Sequence, residues 1–114
     1  MLRDEATLLD INRSARLVRE FAEGLEFERF QQDVKTQSAV IHQLLIVGEA
    51  AKRLSAQFRS KYVDIPWSKV AGMRDKLIHA YDEVDLEEVW RTVEHDIPEL
   101  IEQIGPLLSG VGDT

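Results

Sequence analysis

A chain of 114 residues with 44% hydrophobic and 31% charged side chains is long enough to bury a core and too apolar to be disordered. Cysteine is absent, which excludes disulfides and thiolate metal sites, and only three prolines and six glycines interrupt a composition that favours helix. The net charge of −7 argues, taken as an average, against a nucleic-acid partner.

The opening residues MLRDEATLLD carry acids where a signal peptide needs an unbroken apolar stretch. Leu8, Ile11, Ala15, Val18 and Ala22 then recur at three- and four-residue steps, predicting a first helix from Asp4 to Glu23 that stops at Gly24. A long second helix is expected from Glu28 to Phe58. Val34, Ile41, Leu44, Gly48, Ala51, Leu54 and Phe58 mark one stripe, which Val40, Leu45, Ile46, Val47 and Ala50 widen until little polar face remains. Such a helix is expected to be covered on more than one side, by its own bundle and by a second subunit, with close helix approach at Gly48. The most apolar segment, Leu44 to Ala51, contains Gly48 and Glu49 and is too short to span a bilayer. A soluble, cytoplasmic protein with no membrane contact is expected.

Tyr62 to Trp67 reads as a connector, with Pro66 at a helix start. The third helix runs from Trp67 to Ala80. Asp85 and Glu88 form a capping-box-like start to the fourth, whose stripe is Leu86, Val89, Trp90, Val93, Ile97, Leu100, Ile101 and Ile104. Pro98 should kink it near residue 97, Gly105-Pro106 should weaken or end it, and residues 109–114 should form a frayed tail. The whole, residues 1–114, reads as one all-α domain, an antiparallel four-helix up-and-down bundle that is expected to dimerise.

Charge along this order is segregated. Residues 52–76 carry +5 through Lys52, Arg53, Arg59, Lys61, Lys69, Arg74 and Lys76 against Asp64 and Asp75, whereas residues 82–102 carry −8. Lys52, Arg53, Lys69 and Lys76 are therefore candidate contacts for RNA phosphate, despite the acidic total. The ordinary alternative is a set of solvated helix faces.

The basic segment leads into Arg74-Asp75-Lys76-Leu77-Ile78-His79-Ala80-Tyr81. On a helical wheel Val70, Met73, Leu77 and Tyr81 face the bundle, and Gly72, Asp75 and His79 face away. Asp75 and His79 are four apart, so the carboxylate can orient the imidazole for proton transfer. Attack of a ribose 2′-OH on the adjacent phosphate needs a proton acceptor, a proton donor and a cation, which His and Arg supply. One His does not easily serve both proton transfers, so two copies of the motif across a dimer axis suit the chemistry better. The bland readings are an Arg74–Glu49 pair at a core margin, a histidine favoured by a helix C-terminus, and a core tyrosine.

His42, His79 and His95 fall on three predicted helices without ligand spacing, and neither a metal nor another cofactor is expected. Trp67 and Trp90 read as core residues rather than base-stacking platforms.

Three stretches, QLLIVGEAAKRLS (43–55), DIPWSKVAGMRDKLIHAYDEVD (64–85) and VWRTVEHDIPEL (89–100), resemble the HepT-like branch of the HEPN domain family. The resemblance covers roughly residues 8–104. It implies a dimeric four-helix HEPN fold and a metal-independent endoribonuclease toxin, neutralised by a minimal nucleotidyltransferase antitoxin. The R-x4-H-x-Y signature falls on Arg74, His79 and Tyr81. By resemblance Arg74 and His79 are catalytic, Asp75 supports them, and Tyr81 is where the antitoxin attaches AMP; Glu49, in the middle of the apolar second helix, is a further candidate supporter as a partner for Arg74. Ala80 stands where many members have Gly. The remaining alternatives are a non-catalytic helical dimer that binds nucleotide or docks a nucleotidyltransferase, and a purely structural dimerisation bundle.

Overall fold

A computed structural model describes the backbone of residues 2–79 and 84–111, and the side chains of these except residues 2, 74, 76–79 and 109–111. In chain order the helices are α1 (Leu2–Ala22), α2 (Phe27–Gln32), α3 (Val34–Arg53), α4 (Ala56–Lys61), α5 (Trp67–His79), α6 (Leu86–Arg91) and α7 (Ile97–Val111), with a π-helical turn, Thr92–Asp96, joining the last two. The described residues are all helix and connection, as the composition predicts.

The first helix follows its apolar spacing. Leu8, Ile11, Ala15 and Val18 are at most 1% exposed. Gly24 closes it with φ +77°, the left-handed conformation that glycine adopts without a Cβ penalty.

The predicted second helix is instead three helices, and two capping residues explain the breaks. Asp33 ends α2 and begins α3: its carboxylate accepts the Thr36 N–H at 3.0 Å and the Thr36 hydroxyl at 2.6 Å. Gln37 reaches back to donate to the carbonyls of Phe30 and Gln31, closing the end of α2. Ser55 does the same for α4, accepting the Phe58 N–H at 3.0 Å. An N-cap residue needs an extended backbone before the first turn, so an apolar stripe cannot run through it as one helix. Val34 is consequently 70% exposed, not part of the buried stripe, and the core face of α3 is Val40, Leu44, Val47, Gly48, Ala50 and Ala51.

The Ser55 break is also tied across the chain. Asp4 of α1 is only 3% exposed and accepts both the Ser55 N–H at 2.9 Å and the Ser55 hydroxyl at 2.7 Å. Desolvation pushes the Asp4 carboxyl up. The two Ser55 hydrogen bonds, helped by the charge of Arg3, overcome that and hold it below its ordinary value.

Pro66 precedes α5 and its carbonyl accepts the Val70 N–H, so the third predicted helix starts where the proline suggests. Asp85 caps α6 through the Glu88 N–H at 3.2 Å. The disturbance expected near Pro98 takes the form of the π turn, in which the Ile97 N–H reaches back to the Thr92 carbonyl. Proline lacks a donor for the ordinary ladder, and the wide turn falls immediately before it. Gly105-Pro106 does not end α7. Pro106 lies on the exposed side, where water can serve a carbonyl deprived of its helical donor, and the helix continues to Val111. Residues 109–111 of the predicted tail are therefore helical.

In the core, α3 packs chiefly on α1 and next on α5, and α7 packs on α1. Ile11, Leu44, Ile97 and Ile104 are fully enclosed. Trp90 stacks at 4.9 Å from Phe30, and Trp67 is 5% exposed with its ring N–H on the Tyr62 carbonyl. Both tryptophans are core residues.

Candidate functional site

The sequence-derived site rests on α5. Trp67, Val70 and Met73 bury one side of this helix against α3 and its surroundings, and Asp75 emerges on the other. For Val70, Met73 and Asp75 that is the division the wheel predicts; Leu77, His79 and Tyr81 lie outside the described side chains. The backbone of Arg74 through His79 belongs to the last turns of α5, so Asp75 and His79 sit one turn apart. The side chains of Arg74, Lys76 and His79 and the whole of Tyr81 lie outside the described residues.

Around this segment the charges are arranged differently from the sequence expectation. Lys52 Nζ lies 3.0 Å from Asp75 Oδ1, joining α3 to α5. Lys69 Nζ lies 3.2 Å from Asp96 Oδ1, joining α5 to the π turn. Two of the four proposed phosphate contacts are thus engaged with carboxylates, while Arg53 is exposed at the end of α3. Glu49 is also exposed, and the side chain of Arg74, its candidate partner, lies outside the described residues. Pairing partners 23 and 27 positions apart leave no local spacing signal, so neither could be read from the chain.

Two concavities among the described residues lie elsewhere. A groove of about 420 Å³ runs beside Trp90 between α1 and the π turn, rimmed by Arg16, Arg19, Glu20, Glu23 and Glu94. A second, of about 340 Å³, opens on the other side of Trp90, lined by Phe27, Glu87, Arg91 and His95. Of the sequence-derived site residues with described side chains, Glu49, Lys52, Arg53, Lys69 and Asp75, none lines either groove. Carboxylates crowd both rims, an arrangement unsuited to an RNA backbone. His95 is exposed in a solvated acidic face, as expected, and His42 is exposed on α3. Among the described residues no three His, Asp or Glu side chains gather as a metal site, and no helix is long and apolar enough to cross a membrane.

The arrangement offers, on one helix, an arginine, a carboxylate and a histidine within two turns, next to a lysine supplied by the neighbouring helix.

The family described as "Ribonuclease HepT-like" matches residues 11–107. The chain is 48% identical over 93 residues to "Probable ribonuclease HepT" of Thermococcus cleftensis, covering 82% of this chain and 84% of that protein. It is 43% identical over 89 residues to a protein of Caldanaerobacter subterraneus named as a candidate RNase, covering 78% of this chain and 80% of the relative. A similarly named protein of Methanocaldococcus jannaschii is 37% identical over 106 residues, 93% of this chain and 88% of its own. No solved structure matches the chain at a significant level.

Proposed function

The chain belongs to the HepT-like ribonuclease family, and from that premise we propose that it is a metal-independent endoribonuclease toxin working as a homodimer of four-helix HEPN bundles. The observation that carries the reading is the α5 segment, in which Arg74, Asp75 and His79 follow the R-x4-H signature inside the matched range.

In this reading two α5 helices face each other across a dimer axis and enclose a shared groove. One His79 takes the proton of a ribose 2′-OH as the 2′-oxygen bonds to phosphorus. The other protonates the departing 5′-oxygen as the P–O5′ bond breaks, leaving a 2′,3′-cyclic phosphate and a 5′-hydroxyl. The Arg74 guanidinium balances the charge that gathers on the phosphoryl oxygens. Arg53, exposed beside the segment, steers RNA. The antitoxin is a minimal nucleotidyltransferase that attaches AMP to Tyr81, placing phosphate charge two residues from His79 where substrate phosphate must sit.

Purified protein incubated with single-stranded RNA in EDTA tests the proposal. Cleavage should persist in the chelator. His79→Ala and Arg74→Ala should each lower the rate by at least about a hundredfold, the usual scale for removing a proton-transfer or charge-stabilising group, with helical circular dichroism intact. A His79→Ala protein as active as wild type would remove the reading. RNA left intact by a folded wild-type dimer that still binds nucleotide would favour a non-catalytic module.

A further inference from the structure

Two charged side chains that the sequence assigns to separate tasks meet in the structure. Lys52, near the end of α3, stands in the basic stretch suited to phosphate. Asp75, in α5, is spaced to support His79. The Lys52 ammonium donates to Asp75 Oδ1 at 3.0 Å, bridging α3 and α5 through residues 23 positions apart. Both side chains are partly open to water, 37% and 55% exposed. A pair of this exposure contributes little to stability, because water screens it and two side chains must be ordered to make it. What it does set is geometry. Asp75 lies one residue after Arg74 and one turn before His79, so a hold on its carboxylate from α3 bears on the turn of α5 that carries them.

We propose that Lys52 is a positioning residue: its ammonium holds Asp75, and with it the turn of α5 that carries Arg74 and His79, rather than meeting RNA phosphate. Its consequence for catalysis rests on the ribonuclease reading; the clamp itself does not. A lysine that contacts substrate acts mainly on binding, whereas one that holds a carboxylate acts on the rate once substrate is bound.

The test compares wild type with Lys52→Ala, Lys52→Arg, Asp75→Ala and the double Lys52→Ala/Asp75→Ala variant, each checked for helical circular dichroism. Should Ala cost the fold, Lys52→Gln, which keeps length without charge, takes its place. In cleavage of a single-stranded RNA, Lys52→Ala should lower kcat about tenfold while KM stays within about twofold, and Lys52→Arg should restore most of kcat. The double variant should be no slower than Asp75→Ala. Without RNA, the backbone amide resonances of residues 71–79 should shift in Lys52→Ala and return in Lys52→Arg. A raised KM with kcat kept, a weaker salt dependence of RNA binding and additivity with Asp75→Ala would make Lys52 a phosphate contact and overturn the proposal. Unmoved amide resonances would overturn it as well. A wild-type protein that does not cleave RNA defeats the ribonuclease reading instead, and the amide shifts then decide the clamp alone.

Discussion

The α1–α3 pair and α5 are held in place by different physics. Between α1 and α3 lie side chains such as Ile11, Ala15, Val40 and Leu44, all fully enclosed, and the buried Asp4–Ser55 hydrogen bonds close one end. Helix α5 buries Trp67, Val70 and Met73, then is fastened on its flanks by exposed ion pairs to Lys52 and to Asp96. Apolar burial is not screened by salt, whereas exposed ion pairs are. The framework therefore rests on burial, and the helix bearing the candidate site rests in part on contacts that salt weakens.

Four substitutions break or sharpen this contrast. Leu44→Ala removes a fully enclosed side chain from α3 and should cost about 2–5 kcal/mol in urea unfolding, the range for large-to-small core changes. A cost below about 1 kcal/mol would show that the pair is not the framework. Asp4→Ala strands the Ser55 N–H and should cost about 1–3 kcal/mol. The conservative Asp4→Asn tests the charge. The folded carboxyl sits below its ordinary 3.8, so its stabilisation is complete above that value and lost as pH falls through the folded one. Melting temperature measured from pH 7 downward should therefore fall less steeply in Asp4→Asn than in wild type. Asp33, likewise lowered by its Thr36 hydrogen bonds, leaves part of the acid sensitivity behind. The smallest effect belongs to Lys69→Ala, which opens an exposed pair and should cost less than about 1 kcal/mol, vanishing in high salt.

What the chain discloses follows the range of its interactions. Helix α1, the start of α5, the Asp85 cap and both buried tryptophans come from spacings of three to five residues, which sequence displays directly. The breaks at Asp33 and Ser55 were also local, since Asp and Ser are capping residues, but the apolar stripe ran past them and outweighed the cap. For Ser55 the missing information is distant, because Asp4 takes its hydroxyl from 51 positions away. At Pro98 sequence located a fault but not its form. Of the site, the helix, the outward face of Asp75 and the ribonuclease family were legible. The engagement of Lys52 and Lys69 with carboxylates was not, because net charge along a segment does not say which charges are already neutralised.

The π turn stores one residue more than ordinary helical winding would use. Rewound as plain α-helix, the same sequence would swing everything beyond it by about 100°, carrying Ile97 off the interior. Thr92–Asp96 is accordingly a place where the chain could lose a residue and leave α6 and α7 facing as they do. A single deletion there should be tolerated far better than the same deletion in the middle of α3, which would rotate half of an enclosed face into water.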